Sequence, residues 1–251
     1  MAARRAVHHD VVTVETPVGP ARLHVSAVAS PRALVVLGHG AGRGSDTADL
    51  LALAEALPRA GAGVVLVDQP WVLAGRRVAS PPPTLDTAWR AVLAALAEPP
   101  LRAITRATRR TPVVVGGRSA GARVAARTAA ETGAAAVLLL AFPLLPPGAR
   151  RSDEARTAAL ATRRDELALP VGAGIPVVVA QGERDTFGTP ADLAALVDPA
   201  GLDVVPVPGA DHGMGVARGG PDPLPVVVSA GLRAVAAARG EPAPDTGDAG
   251  E

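Results

Sequence analysis

The sequence predicts an α/β fold with a mostly parallel, twisted β-sheet, an amino-terminal antiparallel hairpin and helices on both faces. Short apolar runs alternate along the chain with Ala- and Leu-rich stretches of helical period, as in repeated strand–helix units. The apolar runs lack polar alternation, which is typical of strands buried on both faces of a parallel sheet. The length of 251 residues suits one large domain, on a rule of roughly 150 residues per domain.

The hairpin is predicted from two β-branched, partly alternating segments, residues 10–15 and 21–29, which flank a turn-rich spacer. Six buried strands follow, each a short apolar run that ends in Gly or a polar residue: 33–37, 63–67, 112–115, 135–140, 176–180 and 203–207. Helices are predicted at 47–60, at 85–97 with a continuation past Pro99 and Pro100, and at 120–132, 153–167, 191–197 and 223–239. Right-handed crossovers then place helices on both faces.

Two connections and the chain end depart from this repetition. Residues 70–84 and 142–151 are Pro-rich and irregular, and such loops often lie over a site, although a plain surface excursion is the alternative. Residues 240–251 contain Pro, Gly, Asp and Glu but no large apolar residue, which predicts a disordered tail. We therefore expect a single domain over residues 1–239.

Composition excludes several classes of protein. The chain has 25 basic and 24 acidic residues, a net charge of +1 and no Lys, so it lacks the field that draws proteins onto nucleic acid or anionic membranes. Its longest apolar stretch, 134–145, is broken by Pro143 and is shorter than the roughly 20 residues of a membrane-spanning helix. No Cys is present, which excludes disulfides, thiolate metal sites and a Cys nucleophile. The amino terminus has no apolar run after its first charges, so we expect no secretory signal and a cytoplasmic protein.

A candidate nucleophile lies between a predicted strand and a predicted helix. Gly117-Arg118-Ser119-Ala120-Gly121 matches the pattern G-x-S-x-G, in which a sharp turn holds the serine in a strained conformation and small neighbours let the helix cross the strand closely. In a chain with 27 Gly the pattern alone is weak, and an ordinary strand–helix turn is the alternative. Its position after a strand and before a helix favours Ser119 as a nucleophile.

An acid and a base for this serine follow in the order expected of a Ser-Asp-His arrangement. Asp185 and His212 come just after the strands 176–180 and 203–207, so both lie at the same sheet edge as Ser119. The serine needs a base to take its proton, and the base needs an acid to orient it. Glu183 and Asp211 are rivals for the acid, but Glu183 lies closer to the strand end and Asp211 is too near His212 in sequence.

The Gly-rich segment 38–45 follows the first buried strand and is a candidate anion-stabilising loop. Its backbone amide at Ala41, together with the amide of Ala120 at a helix start, would stabilise a developing oxyanion. His39 is expected to hold this loop by hydrogen bonds. Phosphate binding is the alternative for such a loop, but there is no G-x-x-x-x-G-K-[ST] pattern to support it.

Five further residues are candidates for substrate binding. Trp71, Phe142 and Phe187 are among the few aromatic side chains, which make up 2% of the chain, and all three are expected near the mouth of the site. Arg76 and Arg77 could pair with a substrate carboxylate through their planar guanidinium groups, although a solvated surface role is the more economical one.

These motifs together, His39-Gly-Ala-Gly, Gly-Gly-Arg-Ser-Ala-Gly-Ala-Arg, Gly-Glu-Arg-Asp-Thr-Phe-Gly and Ala-Asp-His-Gly, resemble those of α/β-hydrolases over residues 33–239. The chain is similar to small bacterial predicted hydrolases described as dienelactone-hydrolase-like, a group that also resembles a subunit of an animal histone-acetyltransferase complex. Ala120 stands where many relatives carry Met, and Ser119 stands where true dienelactone hydrolases use Cys. The stretch 149–173 also looks longer than in close relatives.

The resemblance implies a serine hydrolase acting on a small-molecule ester or related acyl substrate, with no cofactor and no metal. Ser119 would attack, His212 would carry the proton and Asp185 would orient the imidazole. A non-catalytic interaction module on the same fold is the alternative, because fold does not imply function. A weak metal site at His8-His9-Asp10 is a further alternative for that segment.

Overall fold

The computed structural model describes residues 7–42, 44–145, 152–196 and 201–244. In these ranges one sheet of eight strands runs in the order β1-β2-β4-β3-β5-β6-β7-β8. The two contacts of β2, with β1 and with β4, are antiparallel, and every other pairing is parallel. The strands are β1 (Val7–Val14), β2 (Ala21–Val28), β3 (Leu34–Gly38), β4 (Gly63–Asp68), β5 (Val113–Arg118), β6 (Ala136–Leu140), β7 (Val177–Gly182) and β8 (Leu202–Val207).

Eight helices of the described chain surround the sheet. They are α1 (Ala48–Arg59), α2 (Pro70–Leu73), α3 (Pro82–Leu96), α4 (Pro99–Thr105), α5 (Ala120–Thr128), α6 (Asp153–Gly172), α7 (Pro190–Leu196) and α8 (Leu224–Ala237). None of these helices is both long and apolar enough to cross a membrane. The predicted α/β architecture with an amino-terminal hairpin is confirmed.

The central strands carry a hydrophobic core on each face of the sheet. Alternate residues of β3 point to opposite sides, so Val36 belongs to the core that includes Trp89 of α3 and Ala125 of α5, whereas Val35 belongs to the core that includes Leu53 of α1. The central strands β3, β4 and β6 are buried along their whole length, which explains their unbroken apolar sequences. Parallel pairing brings the carboxyl ends of β3 to β8 to one edge.

The structure departs from the prediction in the Pro-rich segment 70–84, which was expected to be irregular. Pro70 begins the short helix α2, and α3 begins at Pro82, three residues earlier than predicted. Proline fits the first turn of a helix because its fixed φ suits that turn and its missing N–H would have no partner there. Residues 146–151 of the second irregular segment and 245–251 of the predicted tail lie outside the described residues, while Glu241 pairs with Arg32 and Arg239.

A buried ionic network ties α6 to α5 and α3. Glu166 accepts two hydrogen bonds from Arg123, at 2.6 and 2.8 Å, and one from Arg127 at 3.0 Å. Arg127 also makes a two-point pair with Asp86, at 2.6 and 2.9 Å. Burial opposes the charged form of Glu166, but the hydrogen bond from Arg123 and the charges of Arg123, Arg127 and Arg163 together outweigh it, so the pKa of this carboxyl is lowered. Burial and the nearby cation of Arg123 lower the pKa of Arg163 to about 10.

Candidate active site

Ser119 lies at a sharp turn between β5 and α5. Its backbone has φ 52° and ψ −107°, in a region that non-glycine residues rarely adopt. A β-carbon at Gly117 would lie 2.4 Å from the carbonyl oxygen of Gly38, and one at Gly121 would lie 2.5 Å from the same atom. Only glycine fits at these two positions, so the sequence pattern reflects a close crossing of α5 over the end of β3.

The structure brings Ser119, His212 and Asp185 into one hydrogen-bonded chain. Ser119 Oγ is 3.0 Å from His212 Nε2, and His212 Nδ1 is 2.9 Å from Asp185 Oδ2. Because the carboxylate accepts the hydrogen on Nδ1, Nε2 is left free to accept the hydroxyl hydrogen of Ser119. The Asp185 side chain is fully buried and the His212 side chain is 21% exposed, so the base faces the solvent side of the site.

The Asp185 carboxylate is held by two donors besides His212. Its Oδ2 accepts from Gln181 Nε2 at 2.9 Å, and its Oδ1 accepts from the backbone N–H of Phe187 at 2.7 Å. Gln181 is itself fully buried, donates to the Gly188 carbonyl and accepts from the Phe142 N–H. Sequence reasoning missed Gln181, although a lone amide at the end of the apolar strand β7 was a usable signal.

The two rival acids have other roles. Glu183 accepts a hydrogen bond from the Gly209 N–H at 3.1 Å. Asp211 accepts from the N–H groups of Gly213 and Gly215, at 2.8 and 2.9 Å. Each of these exposed carboxylates therefore supports a turn near His212, and neither is the carboxylate that contacts its Nδ1.

Arg118 is a second residue that sequence reasoning missed. Its Nη2 donates to the carbonyl of His212 at 2.7 Å, and its Nε lies 2.9 Å from Asp49 Oδ2. The side chain is only 14% exposed, and Asp49 is buried at the start of α1. Arg118 therefore links the loop that carries His212 to α1, the helix that follows the Gly-rich segment 38–45. Its only sequence signal is its position immediately before Ser119.

The Gly-rich loop after β3 is held at both ends by side chains. His39 is buried, accepts from the Gln69 N–H through Nε2 at 3.0 Å and donates through Nδ1 to the Gly40 carbonyl at 2.8 Å. Asp68 accepts from the Ser45 N–H at 2.8 Å. Burial would raise the pKa of Asp68, but hydrogen bonds from His24 and Ser45 outweigh that effect and lower it. The expectation that His39 is a structural residue agrees with these contacts.

The two predicted oxyanion residues line one narrow pocket beside Ser119. Ala41 and Ala120 contribute to its wall together with Gly40, and a β-carbon at Gly40 would lie 3.6 Å from Ser119 Cβ. Ala120 is the first residue of α5, where unpaired N–H groups and the helix dipole favour negative charge. The rest of the wall includes Trp71, Leu85, Trp89 and Val124.

The predicted substrate-binding residues fall into four environments. Trp71 is buried, lines this pocket and packs edge-on against His39. The ring of Phe187 lies 4.1 Å from that of His212, measured between centroids. Phe142 is fully buried in the core. Arg76 and Arg77 are exposed and do not line the pocket. Within the described ranges, no three His, Asp or Glu side chains lie close enough to hold a metal ion.

The fold and this geometry agree with the family comparison. A family model described as an alpha/beta hydrolase domain matches residues 31–222, and the chain belongs to this family. The α/β-hydrolase fold expected from the motifs is thus confirmed. No curated protein matches the chain.

Several solved structures share the fold at low sequence identity. An alpha-beta serine hydrolase homologue from Coxiella burnetii superposes with a TM-score of 0.62 at 17% identity, covering 81% of this chain and 88% of that one. Dienelactone hydrolase from Anabaena variabilis gives 0.63 at 18% identity, covering 88% and 94%. Est1E from Butyrivibrio proteoclasticus, with ferulic acid bound, gives 0.67 at 15% identity, covering 90% and 99%.

Proposed function

We propose that the protein is a serine hydrolase that cleaves a small ester or related acyl substrate through an acyl-enzyme. The observation that supports this most is the chain of two hydrogen bonds, 3.0 Å from Ser119 Oγ to His212 Nε2 and 2.9 Å from His212 Nδ1 to Asp185 Oδ2. A buried acid, an oriented imidazole and a strained serine are the parts that nucleophilic acyl transfer requires.

In the first half of the proposed reaction, Ser119 Oγ attacks the acyl carbonyl carbon and its proton passes to His212 Nε2. The carbonyl oxygen becomes an oxyanion, which the backbone N–H groups of Ala41 and Ala120 stabilise. His212, now a cation facing Asp185, returns the proton to the leaving alcohol as the tetrahedral intermediate collapses. Water then attacks the acyl-enzyme by the same steps and releases the acid.

The test is reaction with a fluorophosphonate probe, which forms a covalent bond with an activated serine. We expect the wild type to be labelled at Ser119, and Ser119→Ala to be unlabelled and to lose several orders of magnitude in hydrolysis of an activated ester. Ser229→Ala, a serine of α8, is the matched control and retains labelling. Residual hydrolysis by Ser119→Ala within about tenfold of wild type would contradict the proposal.

No contact among the described residues favours the alternative, a non-catalytic interaction module, over hydrolysis. The alternative predicts a folded protein that the probe does not label. The cytoplasmic location and the small-molecule partner also stay predictions.

A further inference from the structure

Gln69 has an unpartnered carbonyl oxygen and lies in the wall of the pocket beside Ser119. The residue is 5% exposed, and its side-chain Oε1 has no hydrogen-bond partner among the described residues. Its Nε2 donates to the Leu85 carbonyl at 3.3 Å. Turning the amide over would place two carbonyl oxygens against each other, so the Leu85 contact fixes Oε1 as the free atom. A buried acceptor without a donor is unfavourable, so a bound group that supplies a donor is favoured.

The pocket is small and mostly apolar. Its volume is about 10 Å³, which is about the space that one water-sized group occupies. Trp71, Leu85 and Trp89 are all buried and form much of its wall. An acyl group attached to Ser119 can therefore place only a short end in this space.

The chemistry of the wall also limits the charge of that end. None of the described residues that line the pocket is Asp, Glu or Arg, and His39 is engaged with Gln69 N–H and the Gly40 carbonyl. An ammonium group would be buried without a counter-ion, which is costly. A carboxylate would present an acceptor to the Oε1 acceptor. A neutral hydroxyl, a small donor without charge, fits both the space and the wall.

We infer that the pocket selects esters of short hydroxy acids, with acyl groups of two or three carbons whose hydroxyl donates to Gln69 Oε1. This inference rests on the proposed function, because it assigns the acyl side of the same site. A site that hydrogen-bonds a substrate hydroxyl rejects an analogue lacking it far more strongly than it rejects a missing methylene. The expected preference is at least about tenfold in kcat/KM.

The test compares pairs of ethyl esters that differ by a hydroxyl in place of a methyl group. The pairs are glycolate with propionate, and 3-hydroxypropionate with butyrate, and hydrolysis is followed by acid release at constant pH. A hydroxyl alters intrinsic ester reactivity. The quantity measured is therefore kcat/KM of the hydroxy-acid ester divided by kcat/KM of its methyl analogue, and this ratio is compared between wild type and Gln69→Leu. In at least one pair we expect this ratio to fall by about tenfold or more in Gln69→Leu.

Thr128→Val is the matched control, since Thr128 is a fully buried polar residue of α5 that does not line the pocket. We expect Thr128→Val to keep the wild-type ratio in both pairs. Unchanged ratios in Gln69→Leu would overturn the inference, because an ordered water would then supply the donor to Oε1. If the esters are hydrolysed but the ratios are unchanged in Gln69→Leu, only this inference fails and the proposed function still holds. Absence of both ester hydrolysis and probe labelling would instead overturn the proposed function and this inference with it.

Discussion

The Asp185 carboxylate meets three donors, and replacing it with Asn tests whether its charge and its acceptors orient His212. In the wild type, Oδ2 accepts from Gln181 Nε2 and His212 Nδ1, and Oδ1 accepts from the Phe187 N–H. If the new amide nitrogen replaces Oδ1, it faces the Phe187 N–H. If it replaces Oδ2, it faces Gln181 Nε2 and forces His212 into the tautomer whose Nε2 carries hydrogen.

Either orientation removes at least one hydrogen bond to a charged group, which contributes about 1.5–3 kcal/mol. That loss alone corresponds to about 10- to 100-fold in rate if it affects the transition state. The negative charge that stabilises the imidazolium disappears as well, and the Oδ2 orientation leaves Ser119 without a base. We therefore expect kcat to fall by about 10³- to 10⁴-fold, approaching the loss known for this substitution in other triads.

The assay is the pH–rate profile of activated ester hydrolysis, with thermal unfolding measured on the same samples. Glu183→Gln and Asp211→Asn are matched charge-neutralising controls on neighbouring loops, and we expect them to stay within about tenfold of wild type, since each loses only turn-supporting hydrogen bonds. A loss at Glu183 or Asp211 comparable to that at Asp185 would refute the assignment. So would an Asp185→Asn protein with nearly full activity.

Two further predictions concern stability and charge recognition. Glu166→Gln leaves three arginines around an uncharged amide and should lower the free energy of unfolding by about 3–5 kcal/mol in denaturant titrations at neutral pH. Because the pKa of Glu166 is lowered in the folded protein, its stabilisation is fully present above about pH 4.5 and is lost as the pH falls through the folded pKa. The free energies of unfolding of wild type and Glu166→Gln should therefore converge in acid. A difference that stays constant with pH would contradict this explanation. Because Arg76 and Arg77 are exposed and do not line the pocket, replacing both by Gln should leave KM unchanged for an ester with a free carboxylate and for a neutral ester of similar size. A rise in KM for the carboxylate ester alone would contradict this and show that the guanidinium groups pair with substrate.

The sequence predicts the sheet well because apolar runs and glycines report directly on burial and close approach. The strand β6 is predicted within one residue at each end, since all its residues are buried. The short helix α2 is missed because four residues cannot establish a helical period, and its Pro70 is a signal shared by loops and helix starts.

The sequence likewise predicts one part of the candidate site and misses another. Ser119, Asp185 and His212 can be predicted from the sequence because each follows a strand, and these strands end at the same edge of the sheet. Arg118 donates to the carbonyl of His212, 94 residues away, and no local pattern records such a contact. Gln181 donates to Asp185 only 4 residues further on, but that contact follows no periodic pattern, and its other partner Phe142 is 39 residues away. A periodicity analysis registers Gln181 only as an exception to an apolar strand.

The close crossing at Gly38 has a consequence for how the protein tolerates mutation. The loop that carries Ala41 and the helix that begins at Ala120 are spaced by main-chain atoms, since the Gly38 carbonyl abuts both Gly117 and Gly121. Main-chain atoms are identical in every sequence, so exchanges of Val, Leu and Ala in the two cores leave this spacing unchanged as long as the three glycines remain. We therefore expect the three glycines to set the spacing of the two predicted oxyanion donors, so that substitutions in the pocket wall change which groups fit there without changing this spacing.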